Sequence, residues 1–202
     1  KTQILNNPFA VRNMPEKLFS INFLKFMPPT IFTKDINVIE KFKNRYKQIV
    51  IKPTHGYGGK NIFFVNKGTS KIKILKYLKK NNHVMIQKFL PQIKYGDKRI
   101  FIINGIVKGA IKRIPKKGSI VSNLGQGGKA FKTNLSKKEL LIAKQIGSSL
   151  KKNKILLAGI DLISNYLTGD INITSPTGLK NYKDLTGVDL SIDIWNYLES
   201  KL

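Results

Sequence analysis

Cysteine is missing from this 202-residue chain. That excludes disulfides, thiolate zinc sites and cysteine nucleophiles. Histidine is nearly missing too. His55 and His83 are all there are, too few for a histidine-rich metal centre. No apolar run approaches the roughly 20 residues that cross a bilayer, and no secretory apolar stretch opens the chain. A reducing, cytoplasmic setting without membrane contact is the expectation. Acidic residues are scarce, 11 against 37 lysines and arginines, for a formal net charge of +26. Within that surplus arginine is scarce, at positions 12, 45, 99 and 113 only. Base reading and two-pronged phosphate recognition favour arginine, and the lysines run along the whole chain without a basic tail. Non-specific nucleic-acid binding at low salt is therefore expected; a specific nucleic-acid partner is not.

What is present suffices for a folded protein. Hydrophobic residues make up 41%, and the length fits one large domain or two small lobes. The chain starts at Lys1 rather than methionine, which reads as a portion of something longer.

The hydrophobic pattern is α+β. Asn13-Met-Pro-Glu16 reads as a helix start with Asn13 as N-cap, running to about residue 25. Thr33 is expected to open a second helix, with Ile36, Ile39, Phe42 and Tyr46 on one face. Two β-rich runs, 49–52 and 62–65, flank a glycine loop. A helix over about 70–80 would bury Ile72, Leu75 and Leu78, and 84–90 reads as a strand ending at Pro91. Asn104-Gly105 signals a hairpin between strands at 98–103 and 106–112. Residues 115–129 carry glycine, serine and lysine without period. Ser136-Lys-Lys-Glu139 is a capping box opening a helix to about residue 152. Ser175-Pro-Thr-Gly178 is a turn, and a last helix would bury Leu190, Ile194, Trp195 and Leu198. The expected architecture is antiparallel sheets in two lobes.

Three features carry chemistry. The loop His55-Gly-Tyr-Gly-Gly-Lys60 lies between two strands, so it is neither a P-loop nor a dinucleotide fingerprint. Glycine at 56, 58 and 59 still lets backbone N–H groups settle on phosphate oxygens, with Lys52 bringing an ammonium beside them. Alone, the loop is equally consistent with a mobile surface hairpin. Second, Asp170 and Asn172 are two apart on a strand and share a face. Asp161 lies on the preceding strand, and Ser164-Asn165 can reverse the chain. Three hard oxygen donors suit Mg²⁺. An exposed polar strand explains Asp170 and Asn172 as well, but not Asp161, which interrupts an apolar run. Third, Arg99 opens a strand and Arg113 closes another. Both could reach one site and clamp a carboxylate or phosphoryl group, or be ordinary surface arginines.

Together these residues resemble the ATP-grasp portion of bacterial glutathione synthetase. The matching stretches are 13–19, 51–59, 87–90, 96–99, 113–115, 159–163 and 171–178, with Ile171-Asn-Ile-Thr-Ser-Pro-Thr-Gly178 the most family-specific. The resemblance implies an ATP-grasp fold, two α+β lobes whose antiparallel sheets enclose a nucleotide cleft. It divides the chain into an entering segment (1–12), a first lobe with the flap (13–90) and a second lobe with metal hairpin and lid (91–202). It implies ATP-dependent joining of γ-glutamylcysteine to glycine through an acyl phosphate, releasing ADP and phosphate. Lys17 and Lys52 would contact phosphates under a flap of Gly56, Tyr57, Gly58 and Gly59. Gln87, Lys88, Phe89 and Leu90 would form the hinge that receives adenine. Asp161, Asp170 and Asn172 would hold two Mg²⁺ ions, with Mn²⁺ as a substitute. Arg99 and Arg113 would be the catalytic arginines. Residues 115–129 would be a lid. Asn123, Gly127, Gly128, Ser175, Thr177 and Gly178 would seat the peptide. The partners implied are small molecules, with a homo-oligomer formed through the full-length protein.

The sequence departs from the family pattern at four points. Gly169-Asp170 stands where the family has a glutamate one residue closer to Asp161, and Gly169 could absorb the extra residue as a bulge. Val121 replaces a frequent lid arginine, and His55 a flap aspartate. The family's leading domain is not in the sequence, so this chain is expected to bind nucleotide and turn over poorly. A related ATP-grasp ligase, a catalytically silent nucleotide binder and a lysine-driven nucleic-acid binder are the alternatives. Asn172→Ala and Asp161→Ala are each expected to remove most magnesium-dependent activity and leave the fold intact.

Overall fold

A computed structural model describes residues 4–56, 58–81 and 83–201. Two antiparallel sheets organise them. The first contains β1 (Thr30–Phe32), β2 (Ile49–Pro53), β3 (Phe63–Val65) and β4 (Val84–Lys88), in the order β1-β4-β2-β3. The second contains β5 (Asp97–Ile103), β6 (Ile106–Ile114), β7 (Lys129–Lys132), β8 (Leu157–Ile163) and β9 (Tyr166–Asn172), in the order β7-β6-β5-β8-β9. The helices are α1 (Pro8–Asn13), α2 (Glu16–Phe19), α3 (Ile36–Tyr46), α4 (Lys71–Lys80), α5 (Lys137–Lys152), α6 (Leu179–Thr186) and α7 (Ser191–Glu199). Among the described residues no helix is long and apolar enough to cross a membrane.

Strand alternation decides what each sheet face meets. On the first sheet Ile49, Ile51, Val84 and Ile86 point to α3 and α4 and form one core with Ile39 and Ile74. The intervening Val50, Lys52 and Gln87 point the other way, into a cleft. On the second sheet Ile100, Ile102, Ala158, Ile160 and Leu162 pack on α5 through Ile142, Ala143 and Ile146. On its opposite face Phe101, Ile103 and Ile111 pack on α6 and α7. Further along that same face stand Asp97, Arg99 and Asp161, which line the cleft. The period-2 pleat thus turns one polar edge of each sheet toward the other.

Short-range signals hold well. Asn104 and Gly105 both take positive φ in the two-residue β5–β6 turn, as do Ser164 and Asn165 between β8 and β9. The Ser136–Glu139 capping box forms and α5 ends at Lys152. Several expectations are corrected. Asn13 ends α1, which is capped by Asn7 with Pro8 in its first turn; α2 begins at Glu16 and continues as a 3₁₀ helix over Ser20–Phe26. Asp35 rather than Thr33 caps α3, and Thr30–Phe32 adds a strand beside β4. On α4 the buried residue is Ile74, while Ile72 and Leu75 are exposed, because Tyr77 and Leu78 set the helix's rotation on the first core. The C-terminal end holds two helices, not one. Leu190 and Ile194 are buried there, but Trp195 is 62% exposed. One helix turns by 100° per residue, so adjacent Ile194 and Trp195 cannot both face a narrow contact. Met14, Phe23 and Met27 join the second sheet's core, which Met85 and Phe32 of the first sheet also reach, so the segment before β1 packs on the second sheet where the two sheets meet.

Candidate active site

The cleft between the sheets encloses about 930 Å³, including the solvent at its mouth. Its first wall carries one buried cation. Lys52 points off β2 and its Nζ donates to Thr168 O (2.9 Å) and Gln87 Oε1 (3.4 Å). Gln87 is oriented in turn by donating Nε2 to Thr30 Oγ1 at 3.0 Å. Burial lowers the Lys52 pKa, and neighbouring Asp170 only partly restores it. Beyond β4, Lys88, Phe89, Leu90 and Ile93 continue the lining. The N–H groups of Lys88 and Phe89 are already committed to Pro29 O and Gln48 O.

The second wall is a chain of alternating charges. Arg99 on β5 and Asp161 on β8 are register partners, and Arg99 grips Asp161 with two prongs through Nε and Nη2. Arg113, the register partner of Asp97, grips Asp97 in the same manner and reaches Asp161 Oδ2 at 2.8 Å. All four side chains are buried, Arg113 to 1% exposure. Burial opposes the charge of Asp161, yet Arg113 and Arg99 outweigh it and hold its carboxyl below the usual range. Burial wins at Asp97, whose pKa is raised despite Arg113. Arg99 Nη1 extends to Thr177 O at 3.3 Å, tying the wall to the 174–178 turn.

The β8–β9 hairpin joins the walls. Its register shifts between Ile160 and Leu162, leaving 168–170 opposite the single residue Asp161. Gly169 sits in this bulge at φ +93°, a conformation glycine adopts without Cβ strain. The bulge delivers Asp170 to the cleft, where Lys17 Nζ (3.4 Å) and Lys52 Nζ (3.6 Å) flank its carboxylate. Thr168 Oγ1 donates to Asp170 Oδ2 at 3.2 Å. Burial disfavours the Asp170 charge, but Lys52 and Lys17 overcome it and hold the pKa below the ordinary carboxylate range. Lys17 Nζ also donates to Gly56 O at 2.9 Å, so the flap, α2 and β9 meet at one point. Over them lies the segment expected to be a lid. A Cβ on Gly59 would collide with Val121 Cγ1 and with Asn123 Oδ1, and Ile120, Val121, Ser122 and Asn123 line the cleft.

Residues 16–187 match the family described as prokaryotic glutathione synthetase, ATP-grasp domain. The chain belongs to this family. It is 40% identical over 206 residues to the glutathione synthetase of Bradyrhizobium diazoefficiens, covering 100% of this chain and 65% of that protein. Against the glutathione synthetase of Rhodopseudomonas palustris it is 40% identical, covering 99% and 64%. The chain thus spans just under two thirds of the length of these curated relatives. Among solved structures, the ATP-grasp ligase PsnB complexed with minimal precursor aligns with TM-score 0.74 at 17% identity, over 100% of this chain and 65% of that one. D-alanyl-alanine synthetase A from Vibrio cholerae aligns with TM-score 0.63 at 13% identity, over 86% and 59%. These likenesses establish the ATP-grasp fold.

The glutathione synthetase pattern carried many positions into one space. Lys17, Lys52, Gly56, Gly58, Gly59, Gln87, Lys88, Phe89, Leu90, Arg99, Asn123, Asp161, Asp170 and Asn172 all line the cleft. Tyr57 lies outside the described residues. Gly127, Gly128, Ser175, Thr177 and Gly178 are not among the lining residues; they stand in the lid and in the turn held by Arg99. Arg113 does not line the cleft either. Asp97 and Asp161 enclose its guanidinium, so it steadies the wall from behind. Asn172 is at the rim, its Oδ1 accepting from Ser175 N at 3.1 Å. Among the described residues no three acidic, histidine or cysteine side chains form a metal cage by themselves. Sequence reasoning missed Glu16, Asp97, Ser122 and Thr168, all of which line the cleft. Asp97 was findable, since it shares strand parity with Arg99. Glu16 had no such signal: burial first, then nearby Asp170, pushes its pKa up to about 7.

Proposed function

We propose that this chain is the nucleotide- and metal-binding portion of a cytoplasmic ADP-forming ligase that joins γ-glutamylcysteine to glycine through an acyl phosphate. One observation carries the reading: Lys17, Lys52, Gly56 and Asp170 converge at a single point of a cleft whose opposite wall presents Arg99 and Asp161. The names of the curated relatives supply the substrates. A solved relative in fold, PsnB, is described in complex with Mg and ADP.

In this reading the flap lays its backbone N–H groups over the β- and γ-phosphates, and Lys17 and Lys52 neutralise them. The remaining backbone groups of the 87–90 hinge read the adenine edge. The donor set fits a hard cation. Asp170, Asn172 and Asp161 offer only oxygen, and Mg²⁺ typically takes one or two carboxylates with phosphate and water completing its shell, so a three-carboxylate cage is not needed. Asp170 and Asn172 are the accessible donors; Asp161 contributes as far as Arg99 and Arg113 yield one oxygen. When bound, up to two Mg²⁺ ions neutralise phosphate charge during transfer. Arg99 orients the acceptor carboxylate and stabilises the developing phosphoryl charge. Arg113 keeps Arg99 and Asp161 in place. The lid of 115–129 excludes water from the acyl phosphate, while Asn123, Gly127, Gly128, Ser175, Thr177 and Gly178 seat the peptide. Phosphoryl transfer needs position and charge more than a covalent nucleophile, which fits a protein without cysteine.

Two measurements test this. Calorimetry on this chain is expected to show ADP binding that strengthens with Mg²⁺; no binding in either condition overturns the nucleotide site. Phosphate release by the full-length protein is expected with γ-glutamylcysteine plus glycine and not with glutamate in place of glycine as the attacking amine. The reverse preference would assign a different carboxylate–amine ligase.

A further inference from the structure

Asn6 precedes α1 and belongs to none of the elements described above. Its side-chain amide nevertheless makes four hydrogen bonds to distant backbone. Nδ2 donates to Leu157 O and to Ile173 O, both at 2.7 Å. Oδ1 accepts from Leu156 N at 2.8 Å and from Leu157 N at 2.9 Å. The β8–β9 register pairs Gly159 with Asn172. Two residues further along, Thr174 would stand opposite Leu157. There the Asn6 amide takes both the N–H and the C=O of Leu157, as a neighbouring strand's peptide group would. So β9 stops at Asn172, and the chain leaves the sheet. After Ile173, Thr174 Oγ1 turns toward Glu16 Oε1 and Ser175 N bonds back to Asn172 Oδ1. Asn6 is itself held firmly. Asn7 Oδ1 caps α1 by accepting from Ala10 N, and Ala10 and Val11 pack on the second sheet's core.

We propose that Asn6 is a positioning residue for the ligase site. It displaces the continuation of β9, and thereby sets where Asn172 and the 174–178 turn stand against Arg99. An apolar residue there would leave Leu157 N–H and C=O unpaired or let the strand zip onward, drawing the turn away from Arg99. The inference rests on the proposed magnesium role of Asn172.

The test compares ADP affinity of the 202-residue chain in saturating Mg²⁺ and in EDTA, for the unaltered protein, Asn6→Ala and Asn6→Asp, with thermal melts run alongside. Asn6→Asp keeps the acceptor toward Leu156 and Leu157 and loses the donors, so it serves if the alanine variant does not fold. The expected result is a loss of about tenfold in the magnesium-dependent gain, the usual scale for groups that orient metal ligands, with the EDTA affinity unmoved. An unchanged gain overturns the proposal. Affinities that fall equally in both conditions, or failure of both variants to fold, also overturn it by making Asn6 a residue of the fold alone. If the unaltered chain shows no magnesium-dependent gain, the magnesium-site reading fails instead.

Discussion

Asp170 and Asp161 stand on neighbouring strands of one hairpin, yet they hold charge in opposite ways. Asp170 meets two lysines at 3.4 and 3.6 Å and keeps 28% of its side-chain surface in solvent. Asp161 is 5% exposed and gripped by two arginines, one of them through a two-pronged fork. A lysine is a point charge on a flexible stem and exchanges partners readily; a planar guanidinium fork is fixed in geometry. The first pair is therefore suited to giving way to phosphate and metal. The second is suited to holding the cleft wall in shape, so that in the proposed reading Asp161 reaches a metal only as far as the arginines release it.

The hardest way to break this contrast is Asp161→Ala. Removing the carboxylate strands Arg99 as a buried charge and leaves Arg113 with Asp97 alone, and stability is expected to fall by about 3–5 kcal/mol, read from urea unfolding. This replaces the expectation that the variant leaves the fold intact. A loss under about 1 kcal/mol would place Asp161 in the same exchangeable class as Asp170. Next in size, Lys52→Ala is expected to weaken ADP binding by about tenfold or more, on the scale of a hydrogen bond to a charged group. Its melting temperature should fall, because Thr168 O and Gln87 Oε1 lose their donor and Asp170 keeps only Lys17 beside it. Unaltered ADP affinity would remove Lys52 from the phosphate site. Asn172→Ala, at the rim, is expected to cost about tenfold in magnesium-dependent ADP affinity with an unchanged melting temperature. Loss of stability there would make Asn172 a turn residue first. The smallest effect concerns Glu16. Its folded pKa, near 7, lies above the ordinary value of 4.5, so the folded state keeps a proton that the unfolded state releases. Stability from this group is complete below about pH 4.5 and is lost as pH rises through about 7. Glu16→Gln should flatten that decline in urea midpoints measured across the same window. An unchanged slope would locate the titration elsewhere.

Much of the site was legible because its signals are local. Gly56, Gly58 and Gly59 mark a loop between strands whatever the rest does. Asp170 and Asn172 share parity, and Ser164-Asn165 closes a two-residue turn. The Ser136–Glu139 box forms within a single helical turn. Other features depended on neighbours distant in the chain. Ile72 and Leu75 look as apolar as Ile74 and Leu78, and only the first sheet's position selects which pair faces the core. Trp195 reads as core by composition and is exposed because the second sheet meets α7 along Leu190 and Ile194. Arg113 reads as a clamp on substrate, but the register that sets it opposite Asp97 turns it into a brace. The amide of Asn6 finds its partners about 150 residues away, beyond the reach of any pattern.

The sequence by itself determined the parts: a polar edge on each sheet, a glycine loop, oxygen donors without sulfur or imidazole, and a surplus of lysine over arginine. Those follow from pleat, turn and residue chemistry, which act over a few bonds. Only the tertiary structure decided which cation each carboxylate would hold. Burial and distance set ion pairing, and both are properties of how two sheets are brought face to face.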